Sequence, residues 1–353
     1  DNSRWDAALA AGLAAETQLT ADGFGLYGTT AKDWANMFLI DNAFCKEAIT
    51  VQLLASGFSN IKINNGWEKG LRLVSQNGGG ALNAPKEMID LFPMKNGSRP
   101  TAANNYDPFL FFKDRDPRFY RTFAFTGSKW GYKENANATV WSYRWAGLDS
   151  KGVKTFFYSD NNSESTPVFV RKMSNPAESN TNYEFSGTDI FEYRFAELLL
   201  NIAECYAAKG DVSKTIEYLG KIRNRVGIPS ANNYGIGNLA SKYEAIEAVL
   251  YERRVELAYE GKRFWDVQRW MLYDNEALPG VTGGTVSKLG LTPINGTKRT
   301  GNFLQYRVAT TSATTDPITA AARASVVADP DATNFETQLA SLATFYNTNF
   351  IRT

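Results

Sequence analysis

Two carboxylates stand two residues apart in Asp114-Arg-Asp-Pro-Arg118, and a pair of acids is the usual apparatus for cleaving a glycosidic bond. Such a pair must flank the sugar from opposite sides, about 5 to 9 Å apart. Residues this close, next to a proline, point wherever the local backbone sends them. The favoured reading is a turn in which Asp caps backbone amides and pairs with Arg115 or Arg118. A glycoside hydrolase built on Asp114 and Asp116 is the enzymatic alternative. Other chemistry is narrower still. The 353 residues include no histidine, which removes Ser-His-Asp, Cys-His and His-ligated metal mechanisms together. Cys45 and Cys205 lack metal-ligand spacing and read as small apolar fillers, Cys205 on a helix with Ala203 and Ala207. Gly78-Gly-Gly80 lacks the Lys-Ser/Thr that completes a phosphate loop. No catalytic residue, metal or cofactor is assigned.

Aromatic residues offer binding chemistry instead. They make up 13% of the chain, with 8 Trp and 17 Tyr, and they crowd between Gly127 and Tyr158. Trp141, Tyr143 and Trp145 alternate with Ser142 and Arg144, which at period two sets three rings on one side of an extended segment. That face either packs on the core or stacks on sugar rings or clamps a peptide, with Arg144 and nearby Asn and Ser supplying hydrogen bonds. Trp130, Tyr132, Trp141, Tyr143, Arg144 and Trp145 are the candidate ligand-binding residues. A ring that serves as a platform would cost binding when removed; a core ring would cost stability.

Several elements must position these rings. Arg4 to Leu19 reads as a helix with Trp5, Ala8, Leu9, Leu13 and Ala14 as its apolar face, followed by a Phe24/Leu26/Tyr27 plug and a helical run from Lys32 to Phe38. Cys45 to Gln52 and Val168 to Lys172 read as strands, and Pro85 to Pro93 as a short helix bounded by prolines. Turns or loops are expected at Asn64-Asn-Gly66, at Gly78 to Gly80, and in the polar stretch Asn175 to Gly187. Phe195, Leu199, Ile202, Ala203 and Tyr206 line one helix, and Ile216, Leu219, Ile222 and Val226 line its partner across Gly210-Asp211. A pair of this kind is tetratricopeptide-like and must stack on neighbours, the Arg4 helix among them.

The densest stretch follows, from Tyr251 to Trp270. Ile246, Val249, Leu250, Leu257 and Ala258 recur at helical spacing, while Glu252, Glu256 and Glu260 repeat every fourth position, with Gly261 ending the helix. Arg263, Phe264, Trp265, Asp266, Arg269 and Trp270 begin a second amphipathic run. Bulky apolar residues lie too close to these charges for a solvated face, so several charges are expected to be buried and mutually paired.

Glu252-Arg253, Glu256-Leu257, Glu260-Gly261, Arg263, Asp266 and Arg269-Trp270 resemble the C-terminal signature of the SusD/RagB family of outer-membrane nutrient-binding lipoproteins. Tyr193 to Glu204, Gly210-Asp211 and Ile222 to Arg225 resemble that family's helical-repeat segment, and Ala84 to Gly131 its Pro-x-Glu-Met helix and Arg-Asp-Pro-Arg motif. The resemblance covers most of Arg4 to Trp270 and is weakest between Gly131 and Asn180 and after Pro279. It implies a mainly α fold, a SusD-like α-superhelix with tetratricopeptide-like helix pairs and a mixed loop and strand insert. As one partial SusD-like domain over 1–353, it divides into a helical segment (1–56), a ligand-binding insert (57–187), repeat and signature helices (188–275) and an irregular C-terminal segment (276–353). The implied function is capture of oligosaccharide on the extracellular face of an outer membrane and its delivery to a SusC-like TonB-dependent transporter. Peptide capture by a RagB-like lid is the alternative. The family's signal peptide, lipidated cysteine, first helices and last stretch are expected to lie outside this sequence.

Composition agrees with a binding protein and narrows its partners. Lys and Arg number 38 against 37 Asp and Glu, so no concentrated basic balance points to nucleic acid. No run of eighteen apolar residues occurs, so nothing in this sequence is expected to span a bilayer as a helix; the resemblance implies attachment through the family's lipid anchor.

Overall fold

The computed structural model describes residues 2–54, 66–79, 82–159, 166–179, 181, 186–276, 283–294, 306–309 and 314–352. Residues 64 and 65 of the expected Asn-Asn-Gly turn, Gly80, residues 160–165 and parts of the 175–187 loop lie outside them. The helices that organise the rest are α1 (Ser3–Ala21), α2 (Phe195–Lys209), α3 (Val212–Arg225), α4 (Lys242–Glu256), α5 (Arg263–Arg269) and α6 (Phe335–Asn349). The fold is mainly helical, as the sequence implied.

Helices α2 and α3 form the expected antiparallel pair. Gly210 ends α2 in the left-handed region at φ +85°, where a side chain would be strained, and the Asp211 side chain caps α3 by accepting from Lys214 N. Helix α1 stacks on α2, close enough at Gly12 that a Cβ there would sit 2.9 Å from Ile202 Cγ1. Of the apolar face read for α1, Leu9 alone is buried, while Ala8 and Ala14 are exposed. The contact runs along the narrow line of Leu9, Gly12 and Leu13, so the outer alanines have nothing to pack on.

Helix α4 is buried on both sides. Ala245, Ile246, Ala248, Val249 and Leu250 join the helical core with α2 and α3, while Tyr251 and Val255 join the core of the insert. Gly261 was expected to end this helix, yet α4 stops at Glu256 and the chain turns through Tyr259 (φ +64°) and Gly261 (φ +77°). The early stop has a cause in the carbonyls. Arg194 donates to the Glu256 carbonyl at 2.9 Å, and Lys172 Nζ donates to those of Glu256 and Ala258 at 3.3 and 2.8 Å, satisfying groups that another helical turn would have used.

Among the described residues the strands form three small sheets, one of them joining the two chain segments that flank the insert. β1 (Ala48–Gln52) pairs antiparallel with β6 (Ile190–Arg194); β2 (Phe123–Phe125) pairs with β5 (Val168–Val170); β3 (Arg144–Leu148) lies between β4 (Lys154–Tyr158) and the short β7 (Arg307–Val308). Beneath them Phe92, Phe111, Phe112, Phe119, Phe123 and Phe125 are all but fully buried and meet mostly edge to face.

Residues 276–353 are not irregular throughout. Helix α6 closes the aromatic core with Leu339, Leu342, Phe345 and Tyr346, and the Tyr346 hydroxyl donates to the Thr126 carbonyl at 2.6 Å. Phe335, Leu339, Leu342, Tyr346 and Phe350 do carry a helical period, which the surrounding Thr, Ser and Asn obscure. Cys45 and Cys205 are buried free thiols, as read from sequence.

Because Leu342 fills the floor of this core, Leu342→Ala is expected to lower unfolding free energy by roughly 2–5 kcal/mol in denaturant titrations. Thr344→Ala, on the exposed side of α6, is expected to change it by no more than about 0.5 kcal/mol.

Candidate functional site

The acidic row of α4 is structural. Glu252 and Glu256 are fully buried, and around them gather Glu47, Asp116, Glu260, Arg118, Arg194, Arg223, Arg225 and Lys172, all sheltered from solvent. Arg118 donates to Glu252 at 2.6 Å, to Glu256 at 2.8 Å and to Asp116 at 2.7 Å. Arg194 bridges Glu47, Glu256 and Glu260 at 2.6 to 2.8 Å, while Arg225 reaches Glu47 and Glu256 at 2.9 and 2.5 Å. Arg223 holds the second Glu252 oxygen at 2.7 Å, and the Trp34 indole donates to Glu256 at 3.0 Å. Five carboxylates face five cations, so the cluster is neutral as a whole. Burial pushes the Glu256 carboxyl up, but Arg225, Arg194 and Arg118 outweigh it and hold it well below the ordinary range. Burial pushes the Lys172 amine down to about 8.

The remaining signature residues tie α2, α4 and α5. Arg253 grips Asp266 at 2.9 Å and Asn201 at 2.7 Å; Arg269 bridges Asp266 and Glu204; the Trp270 indole donates to Glu204 at 2.9 Å. Arg263 opens α5 without entering this set, its guanidinium pushed down to about 10 by burial and by Arg254. Asp116 is locked onto Arg118, and Asp114 pairs with Lys95 at 2.5 Å near the surface. The two acids thus serve a turn and a buried ion pair, as the favoured reading had it.

The aromatic row read from sequence exists, and something covers it. Trp141 and Tyr143 lie 6.4 Å apart and Tyr143 and Trp145 6.2 Å apart, but strand β3 starts only at Arg144. Phe345 and Phe350 pack against Trp141 and Tyr143, and Phe157 stacks on Trp145. Trp130, Tyr143 and Trp145 are 3, 3 and 4% exposed and belong to the core. Tyr143 keeps its polar end satisfied, donating to Asp316 at 2.7 Å and accepting from Arg323 at 3.0 Å. Arg144 is half-buried with its guanidinium 4.3 Å from the Phe156 ring centroid.

Trp141 and Tyr132 border open space. Trp141 lies in the wall of a cleft of about 980 Å³ whose other groups mix the polar Asn137, Thr139, Ser159, Asn334, Thr337, Gln338 and Ser341 with the apolar Ala320, Ala324, Val326 and Val327, beside Arg323 and the Lys129–Asp329 ion pair at 2.9 Å. A hairpin joined at Lys129 and Thr139 forms one wall. The segment through Ala320–Ala324 to Ala328 is stitched beside it by Lys129 N to Ala328 O at 2.8 Å and Ala328 N to Gly127 O at 2.9 Å, and α6 forms the floor. Tyr132 sits half-buried in an adjoining depression of about 300 Å³. Sequence reasoning missed Arg323, Asn334, Thr337, Gln338 and Ser341 because all five lie in the tail expected to be irregular. The helical period of α6 was the signal that could have found the last four; Arg323 lies on the separate short helix Ala320–Ala324.

Comparisons with known proteins follow the same outline. The SusD family model matches residues 55–326. SusD-like protein P38 of Formosa agariphila is 34% identical over 93 residues, 26% of this chain and 18% of that protein. A SusD-like protein from Bacteroides fragilis superposes with a TM-score of 0.57 at 24% identity, covering 76% of this chain and 51% of the other. The solved chain BT4246 does so at 0.57 and 21%, covering 77% and 52%. This chain therefore spans about half the length of these solved relatives, and shares their fold.

Glu252, Glu256 and Glu260 all sit below the ordinary value of 4.5, so on acidification the unfolded chain takes up protons first. Their contribution to stability is complete above about pH 4.5 and is lost as pH falls through the lower folded values. Glu256→Gln, which leaves three arginines short of a charge, is expected to cost roughly 3–5 kcal/mol at neutral pH. Its stability should also depend less on pH between about 6 and 3 than that of the parent. For Trp145→Ala the loss is expected to be about 3–5 kcal/mol of stability, read as a lowered Tm, whereas Tyr132→Ala should melt near the parent temperature.

Proposed function

This chain belongs to the SusD family, and from that premise we propose that it captures oligosaccharide in the cleft beside Trp141 and delivers it to a SusC-like TonB-dependent transporter. The observation that carries the reading is the lining of the cleft. A sugar presents an apolar ring face and a fringe of hydroxyls. The edge of Trp141, 8% exposed, among hydroxyl, amide and small apolar side chains suits that pattern better than it suits a wholly apolar or wholly charged ligand.

Binding without bond-breaking fits the same lining. Glycoside hydrolysis asks for two carboxyl groups across the scissile bond. Among the described residues lining the cleft Asp329 is the one carboxylate, and Lys129 already holds it. Asp114 and Asp116 do not line the cleft. The proposal sets the protein on the extracellular face of an outer membrane, held by a lipid anchor outside this sequence and closing over the transporter as a lid. Among the described residues no helix is long and apolar enough to cross a membrane.

A panel of soluble glycans and peptides, titrated calorimetrically, tests capture. A glycan is expected to bind, and Trp141→Ala is expected to weaken it by roughly 1–3 kcal/mol through lost stacking, with melting curves recorded alongside because Trp141 also touches the core. Asn137→Ala, at an exposed position, should weaken binding with no change in melting. Peptide binding with no response to glycans would overturn the oligosaccharide reading. Delivery is tested separately by affinity capture from native outer membranes: a TonB-dependent barrel recovered in stoichiometric amount is expected, and its absence would remove that part.

A further inference from the structure

The cleft does not stop at Lys129. The Lys129–Asp329 ion pair belongs both to the cleft and to the smaller depression beside it, so one groove runs on either side of a charged bridge. Tyr132 lies in the wall of the second lobe, backed by the Arg72 guanidinium 5.4 Å from its ring centroid.

Charges in this lobe do not balance. Lys129 is matched by Asp329, and Asp331 by Arg121 at 2.8 Å and Lys32 at 3.0 Å. Two cations remain. Arg171 lines the lobe and donates to the Lys129 carbonyl at 3.2 Å, yet it forms no ion pair among the described residues. Lys133, exposed at the rim, forms none there either. Burial, and then the nearby Arg121, push the Arg171 guanidinium down to about 10 against the more distant pull of Asp331 and Asp329, as befits a cation whose lost hydration no carboxylate at hydrogen-bond distance replaces. Every cation in the buried cluster under α4 has such a partner, so the contrast is internal to this protein.

We infer that the second lobe receives the anionic group, a carboxylate or a sulfate ester, of an acidic oligosaccharide whose neighbouring sugar lies in the first lobe beside Trp141. This rests on the glycan-binding reading above. The planar guanidinium of Arg171 suits two oxygens of one anion, Lys133 adds a mobile charge at the rim, and Tyr132 offers a ring to the sugar that carries the group.

Calorimetric titration of the whole chain tests this with defined probes: hexagalacturonate for a carboxylate, a κ-carrageenan hexasaccharide for a sulfate, maltohexaose and cellohexaose as neutral glycans, and hexaglutamate as an acidic peptide. One acidic glycan is expected to bind at least about tenfold tighter than either neutral one, and to weaken as NaCl is raised. Which of the two it is identifies the anion. Arg171→Gln and Lys133→Gln should each reduce that affinity by about tenfold and leave neutral-glycan binding unchanged. Lys133 is exposed, so its variant keeps the test independent of folding. Neutral glycans that bind as tightly as the acidic ones, or two variants that bind like the parent, would overturn the inference while leaving the capture reading intact. Preference for hexaglutamate would overturn it in favour of a peptide. Failure of every glycan to bind folded protein would take the capture reading down as well.

Discussion

Glu256 sits in a fully buried position and is met by three arginines from three different parts of the chain. Burying one carboxylate alone is prohibitive, and burying it among cations is tolerable only when each cation is in turn satisfied. Here the demand propagates. Arg194 needs Glu47 and Glu260, Arg118 needs Asp116 and Glu252, and Lys172 needs Glu260 and two carbonyls at the end of α4. The loop after β5, the turn before β2, the strand β6 and the pair α2–α3 are therefore all set by one neutral cluster, which acts less as glue than as a specification of how insert and repeat fit together.

That specification explains why the binding groove can be made of loops. The groove walls come from a hairpin, a short helix and the segment before α6, none of which has a core of its own. They lean on the aromatic core of the insert, and that core leans on Tyr251 and Val255 of α4. Rigid support behind irregular walls is the usual arrangement for sites that must present many polar groups at fixed positions.

Much of this was legible in the sequence, and the parts that were not have physical reasons. The acidic row beside bulky apolar residues announced buried pairing, and the helix pair, the strands β1 and β5 and the Asp116–Arg118 turn followed from spacing and local chemistry. The partners Glu47 and Lys172 were out of reach, since nothing in a short strand or a loop marks a residue that meets α4 across the fold. The rings were located correctly as a row, but period two cannot say which side of a row is covered. Phe345 and Phe350 decide that, and they belong to a helix whose apolar period was masked by Thr, Ser and Asn. The same oversight hid half of the cleft.

The hydroxyl of Tyr346 and the carbonyl of Thr126 are 220 positions apart, and the rings around Phe112 and Tyr306 are closed by that same late helix. In a chain made from its N-terminus the two groups therefore emerge far apart in time. Local pairs such as α2 and α3 can form as they appear, but the phenylalanines from 109 to 125 stay without a lid until α6 arrives. Such a delay leaves greasy surface open to wrong partners, so for this molecule the order in which residues are made is itself a hazard that folding helpers must cover.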